Sequence, residues 1–432
     1  MTMSRVRNAC RFRRFSVASR FALVAVSVAL SCTGKAGAQT YEATPTLDAA
    51  RLVQPELLQG RHFKVRPQAN VGGFLARFDI ESAYGNITAV GTEMLRVRVS
   101  EMPALQTLRD VSQSKAFVDA LARSAKAPVD FAKSVATDPK QASANVANGV
   151  SQLFVDVGRA VDRGTDYVGD KASDVSRHKS DAHGSGVAPN DDVFGYNKAK
   201  REWARKLGVD PYSTNPLLQE RLAMVARATF AGNFSGGLVT GAVLGPLQYA
   251  VDLDHATRDA VWDLSPSELQ ARNESRLAEM GIAGRGVRDL FRTPSFTPTV
   301  ATSLVAALGD LKSVRDKRAV IDAAPKMLSE VQARYLRNAV RMLALYSESK
   351  DAVVEIGMSG RVLVGQTRGG LLIVPAAVDY IRWSQEVAAF VARNDLPAGR
   401  RTLVVTGTLS ETAKRELTSR GWQIDEGFVI DR

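Results

Sequence analysis

Between residues 62 and 100 apolar and polar positions alternate. Phe74, Ala76, Phe78 and Ile80 interleave with Leu75, Arg77, Asp79 and Glu81, and Leu95, Val97 and Val99 interleave with Arg96 and Arg98. A period of two puts every second side chain on one face, which marks half-buried strands. Gly72-Gly73, Tyr84-Gly85-Asn86 and Gly91 supply turns between them. The stretch predicts a small antiparallel meander with one wet face. Residues 39–60 read as a surface lead-in with a short helix near 48–53.

From 103 the period lengthens. Leu105, Leu108, Val111, Phe117, Val118 and Leu121 form an i, i+3, i+4 stripe, and Pro128 and Pro139 punctuate the chain beyond it. A second stripe (Val146, Val150, Leu153, Phe154, Val157, Val161) faces Asn145, Gln152, Asp156, Arg159 and Asp162, so 144–168 predicts an amphipathic helix. Residues 171–192 hold almost no large apolar residue and read as a polar linker. Helical spacing returns over 193–349. A basic helix at 198–207 ends at Gly208, and residues 210–216 form a loop fixed by two prolines and by Asx and Ser/Thr side chains. A helix occupies 217–230. Ser265-Pro266-Ser267-Glu268 starts another, and Met327, Val331, Tyr335, Ala339 and Met342 line a long one over 327–345.

The pattern changes again at 350. Apolar runs at 353–356, 362–364 and 371–374 predict a three-stranded meander. After it come a helix at 385–393, a buried-type strand at 402–406, a helix opened by a Thr408–Glu411 capping box and a strand over 422–430. The last three make a strand–helix–strand unit with a right-handed crossover. No repeat of solenoid period is present. The fold class expected is α+β: a small antiparallel β-meander near the N-terminus, a mainly helical middle and a small α/β C-terminal domain. The expected divisions are 1–38, 39–170, the linker 171–192, 193–349 and 350–432.

The first 38 residues change the reading of charge and chemistry. An Arg-rich stretch precedes the apolar run 21–30 and then Ala36-Gly37-Ala38, the pattern of a signal peptide cleaved after Ala38. The run is too short to span a bilayer. The expected location is periplasmic or secreted, with lipid anchoring at Cys32 as the alternative. The chain carries a formal charge of +12, of which seven lie in 1–38 with no acid among them, leaving +5. A basic concentration is visible only at 198–206, and it is too short for the concentrated basic face of a dedicated nucleic-acid binder, so no nucleic-acid partner is expected. Cys10 and Cys32 both precede the cleavage site, so the processed chain has no disulfide, thiolate nucleophile or Cys-ligated metal.

Few constellations carry chemistry. Gly237, Gly241 and Gly245 strip side chains from one face of the apolar run 234–247, allowing close helix packing or association. Asp252, Asp254, His255 and Asp259 are the one acid–histidine cluster, with carboxylates and an imidazole suited to a divalent metal or a base–orienter pair. His178 and His183 sit in the polar linker, and His62 precedes a strand. Gly407, with Thr406, Thr408 and Ser410, opens a helix and is a candidate anion site. Ser235 lies in Gly-Asn-Phe-Ser-Gly, which is not the nucleophile elbow, and no metalloprotease, phosphate-loop or dinucleotide motif is present. No cofactor is expected. The reading favoured is an exported, non-catalytic binding, scaffold or envelope-associated protein whose partner is a protein or another envelope component. The alternative is an exported hydrolase using acidic residues, with a metal at Asp252, Asp254 and His255. A third reading is peripheral membrane contact through 144–168 or 234–247.

Overall fold

The computed structural model describes residues 41–124, 191–230, 234, 255–397 and 399–430. The leader with Ala38 and Cys32, nearly all of the polar linker, the 144–168 stripe and Gly237, Gly241 and Gly245 lie outside the described residues. The architecture is α+β.

The N-terminal sheet contains β1 (Thr46–Asp48), β2 (Gln59–Gly60), β3 (Phe63–Val65), β4 (Gln68–Gly72), β5 (Leu75–Ser82) and β6 (Ile87–Val90), all paired antiparallel. The strands β4 and β5 meet in a tight hairpin whose two central residues, Gly73 and Phe74, both have positive φ (58° and 70°). Such a turn matches the twist of the flanking strands, but the conformation is sterically costly for an aromatic. Phe74 is held by its ring, buried in the core, and by its carbonyl, which accepts from the amides of Asp379 (3.1 Å) and Tyr380 (3.2 Å).

The alternation at Leu95, Val97 and Val99 does not make a strand. Residues Thr92–Ser100 form helix α1, and α2 (Met102–Ser112) and α3 (Lys115–Ser124) come after it. Met94, Leu95, Val97 and Arg98 are buried, a helical set in which the arginine expected outside points inward. The apparent period of two depends on placing Arg98 in solvent; Glu101, 3.1 Å away, makes its burial tolerable.

Helices α4 (Asp191–Leu207) and α5 (Pro216–Phe230) pack on α1–α3 and the N-terminal sheet in one apolar core. Phe234, the described residue of the glycine-spaced run, lies in this core against Phe117 and Trp203. Next come α6 (His255–Asp263), α7 (Pro266–Glu279), α8 (Arg285–Arg292), α9 (Pro298–Asp310), α10 (Arg318–Ala323) and α11 (Glu330–Ser349). Their starts obey local chemistry. Ser265 and Glu268 complete a capping box before α7, and the Thr297 and Ser329 hydroxyls cap α9 and α11.

The C-terminal sheet has the order β13-β11-β9-β8-β7. β7 (Val353–Ser359), β8 (Val362–Thr367) and β9 (Leu372–Ala376) are the expected antiparallel meander, and β11 (Arg401–Val405) and β13 (Trp422–Asp425) add to it in parallel. A parallel pair, β10 (Tyr380–Ile381) and β12 (Thr408–Leu409), flanks it. Helices α12 (Gln385–Val391) and α13 (Glu411–Ser419) supply the connections. Thr408 is not the cap of α13, because it is taken up by β12; Ser410 caps instead, accepting from the Ala413 amide at 3.0 Å. This sheet, α8–α11 and the hairpin tip at Phe74 form the second apolar core.

Gly407 sits where a β-carbon would come 1.9 Å from the Asp379 carbonyl oxygen. The obstacle is backbone and cannot rotate away. Gly407→Ala is expected to cost about 3 kcal/mol, the upper end for an overpacked site, read as a loss of thermal stability.

Candidate functional site

The parallel strands β9 and β11 end at Ala376 and Val405, and the chain beyond each end borders a cavity of about 280 Å³. Ligands of open α/β sheets sit outside the carboxyl ends of parallel strands, so the position is notable before any residue is considered. One wall is the start of α1 (Gly91, Thr92, Glu93), another the face of α11 carrying Arg334 and Asn338. A third is the segment after β9, and the strap 427–430 closes the remainder. The strap is tied down by two amides, Gly427 to the Gly407 carbonyl (3.1 Å) and Phe428 to the Val405 carbonyl (2.9 Å).

Asp379 is the first of two acids at the cavity. Helix α1 begins at Gly91, which has no side chain to cap the free amides of the first turn. Asp379, 287 residues later than Thr92, supplies that cap. One carboxylate oxygen accepts from the Thr92 amide (3.1 Å) and hydroxyl (2.8 Å), the other from the Ala76 amide (2.8 Å). Burial pushes its pKa up, and the three donors and the charge of Arg96 offset this only in part.

Glu93 is the second. Its Oε1 accepts from Arg334 Nη1 (2.8 Å) and from Arg337, and its Oε2 from Asn338 Nδ2 (2.6 Å). It is engulfed by protein, yet 26% of its side chain still meets solvent through the cavity. Burial alone would raise its pKa. Arg337, Arg334 and the Asn338 amide outweigh that, and it rests at about 2.

The charges continue behind the cavity wall. Arg334, 10% exposed, bridges Glu93 to Glu330 (2.8 Å to each). Arg98 pairs with Glu101 and donates to Thr214 Oγ1 (2.7 Å), while Asn215 Nδ2 donates to Glu101 Oε2 (2.7 Å). The loop 210–216 therefore closes on α1 through the Ser, Thr and Asn side chains its sequence advertised. Asp210 lies in the same region. Burial pushes its carboxyl up to about 6 against the Thr299 hydroxyl and Tyr212 amide that it accepts from.

The acid–histidine cluster is elsewhere. His255 and Asp259 are exposed on α6, with the His255 ring beside the Arg258 guanidinium; Asp252 and Asp254 lie outside the described residues. Among the described residues no group of three or more His, Cys, Asp or Glu is placed to hold a metal. His62 stacks obliquely on Tyr84 at 5.8 Å. The turn 406–410 is filled by the chain's own acids. Glu426 accepts from the Leu409 amide and Glu42 from the Ser410 hydroxyl, where an external anion would sit. Glu93, Asp379, Arg334 and Asn338 do not stand out in the sequence. One signal exists: Arg334, Arg337 and Asn338 fall at i, i+3, i+4 on a helix otherwise rich in apolar residues.

Compared with protein families, characterised proteins and solved structures, the chain matches none of them. No helix among the described residues is long and apolar enough to cross a membrane.

A carboxylate whose folded pKa is depressed adds stability above its ordinary pKa, and that stability is lost as pH falls through the folded value. Glu93→Gln should therefore cost about 3 kcal/mol at neutral pH. In thermal melts the gap between wild type and variant should close as pH drops from about 4.5 toward 2.

Proposed function

We propose that this protein is an exported, non-catalytic binding protein of the cell envelope, and that its ligand occupies the cavity at the carboxyl ends of β9 and β11. The observation that carries the reading is the state of the two acids there. Asp379 accepts three hydrogen bonds that tie the fold together, and Glu93 accepts three from two arginines and an asparagine. A general base or nucleophile needs a lone pair aimed at substrate; these are aimed at the protein. That favours recognition over hydrolysis. The cavity is just below the range of about 300–1,000 Å³ usual for small-molecule sites. Val90, Val97, Val331 and Phe428 line it beside the charged groups, which suits a small ligand with polar and apolar parts.

Export rests on the leader. Fractionation of the producing cell with N-terminal sequencing should find a soluble form beginning at Gln39. Full-length chain in the cytoplasm sinks that part, and a lipid on Cys32 replaces it with an anchored protein.

The cavity is tested separately by thermal-shift screening of small amphipathic metabolites. Val331→Trp, which fills the space from one wall, should abolish the shift given by any hit while the fold is retained. Hits that bind this variant as well as wild type place the site elsewhere. Turnover of an ester, glycoside or phosphoester substrate by wild type, lost in Val331→Trp while the fold is retained, would establish the hydrolase reading at this cavity instead.

A further inference from the structure

The charge of the chain is not evenly spread. Residues 285–328 contain eight basic and four acidic residues, a net of +4, against the +5 left once the leader is set aside. The fold gathers that stretch. Helix α8 packs against α10 and against the turn Ala324–Lys326 after it, and Gly286 lies directly beside Asp322. The turn is pinned to the α8–α9 connection by Ser295, whose hydroxyl donates to the Met327 carbonyl at 2.6 Å.

Three of the four acids are engaged already: Asp289 pairs with Arg285, Asp322 with Arg318, and Asp310 also has a partner, while Glu355 of β7 pairs with Arg315. Asp316 remains in the loop. Arg288, Arg292, Lys312 and Lys326 are exposed, and none of the four makes a side-chain hydrogen bond or ion pair among the described residues. Arg288 and Arg292 lie one turn apart on α8, and Lys312 and Lys326 stand before and after α10, the helix about 9 Å long that α8 packs against. Beside Lys326 stands Leu328, 57% exposed, among the few large apolar side chains that the described surface leaves in water.

We propose that the α8–α10 face is a docking surface for an anionic lipid bilayer, with Arg288, Arg292, Lys312 and Lys326 meeting headgroups and Leu328 entering the interface. Unpaired cations around one protruding apolar residue are the chemistry of peripheral attachment. A nucleic acid would instead call for exposed aromatics as stacking platforms, and the exposed apolar group here is aliphatic. The proposal deepens the envelope-associated part of the reading above and rests on it for where such a membrane is met. It is independent of the cavity.

The test is co-sedimentation of the full-length protein with vesicles of phosphatidylglycerol in phosphatidylcholine, against phosphatidylcholine alone. Wild type and variants carry the same leader, so their difference reads the patch. Neutralising three cations (R288Q/R292Q/K326Q) should weaken partition on the order of 100-fold, from roughly fivefold per basic residue at an anionic surface. Leu328→Ser should weaken it severalfold without changing its dependence on salt. Rising sodium chloride should displace the protein, and at matched ionic strength inorganic phosphate should displace it no more than sodium chloride does. The idea is overturned if wild type prefers neutral vesicles or shows no preference, if the triple variant binds as well as wild type, or if single-stranded DNA binds more tightly than anionic vesicles. Matching circular-dichroism spectra for the triple variant exclude misfolding, and because the common leader carries seven basic residues of its own, the loss from wild type to the triple variant and to Leu328→Ser decides the matter.

Discussion

Asp379 joins parts of the chain that are some three hundred residues apart. Its carboxylate accepts the Ala76 and Thr92 amides, its own amide donates to the Phe74 carbonyl, and its carbonyl accepts the Thr408 amide while Gly407 presses against it. The β4–β5 hairpin, the start of α1, the end of β9 and the turn after β11 all converge on one buried residue. Each partner would otherwise be a polar backbone group without water, costing about 1–3 kcal/mol apiece. Asp379 thus caps the Gly91 helix start and, with the buried Phe74 ring and the Tyr380 amide, holds the strained Phe74 turn.

Behind it runs a second constraint of the same kind. Glu330, Arg334, Glu93 and Arg337 alternate in charge along one row, Arg98 and Glu101 form a second pair, and Thr214 of the 210–216 loop connects the two through Arg98 and Glu330. Burying such groups is unfavourable, and their mutual attraction roughly offsets the desolvation only when every member is paired. The result is specificity of arrangement more than net stability. It also gives the cavity its character: a polar wall, partly open to solvent, whose carboxylates accept from arginines, an asparagine, a hydroxyl and backbone amides.

The helices between 193 and 349 are divided between the two large apolar cores, and the hairpin tip at Phe74 leaves its own sheet for the distant one. Helices α4 and α5 join the N-terminal sheet, while α8–α11 join the C-terminal one. Hydrophobic stripes state that a helix has a buried face, but not against what. The basic face around α10 is hidden in the sequence for a related reason. Its charges are dispersed over some forty residues and mixed with acids, and only the packing of α8 on α10 shows which acids are already paired.

What local chemistry governs is legible in the residues alone. The α+β class, the C-terminal meander, the parallel strand–helix–strand unit, the Ser265 capping box and the Asx and Ser/Thr loop at 210–216 all arise from periodicity, caps and turns acting within a few positions. What depends on long-range pairing is not legible there. Alternation at 95–99 suggests a strand because nothing nearby says that Arg98 is inside, and Thr408 looks like a cap because nothing nearby says that β10 will claim it. Asp379 and Glu93 stand in unremarkable surroundings along the chain. Their roles exist only after folding, because a buried carboxylate is defined by the donors that tertiary structure brings to it.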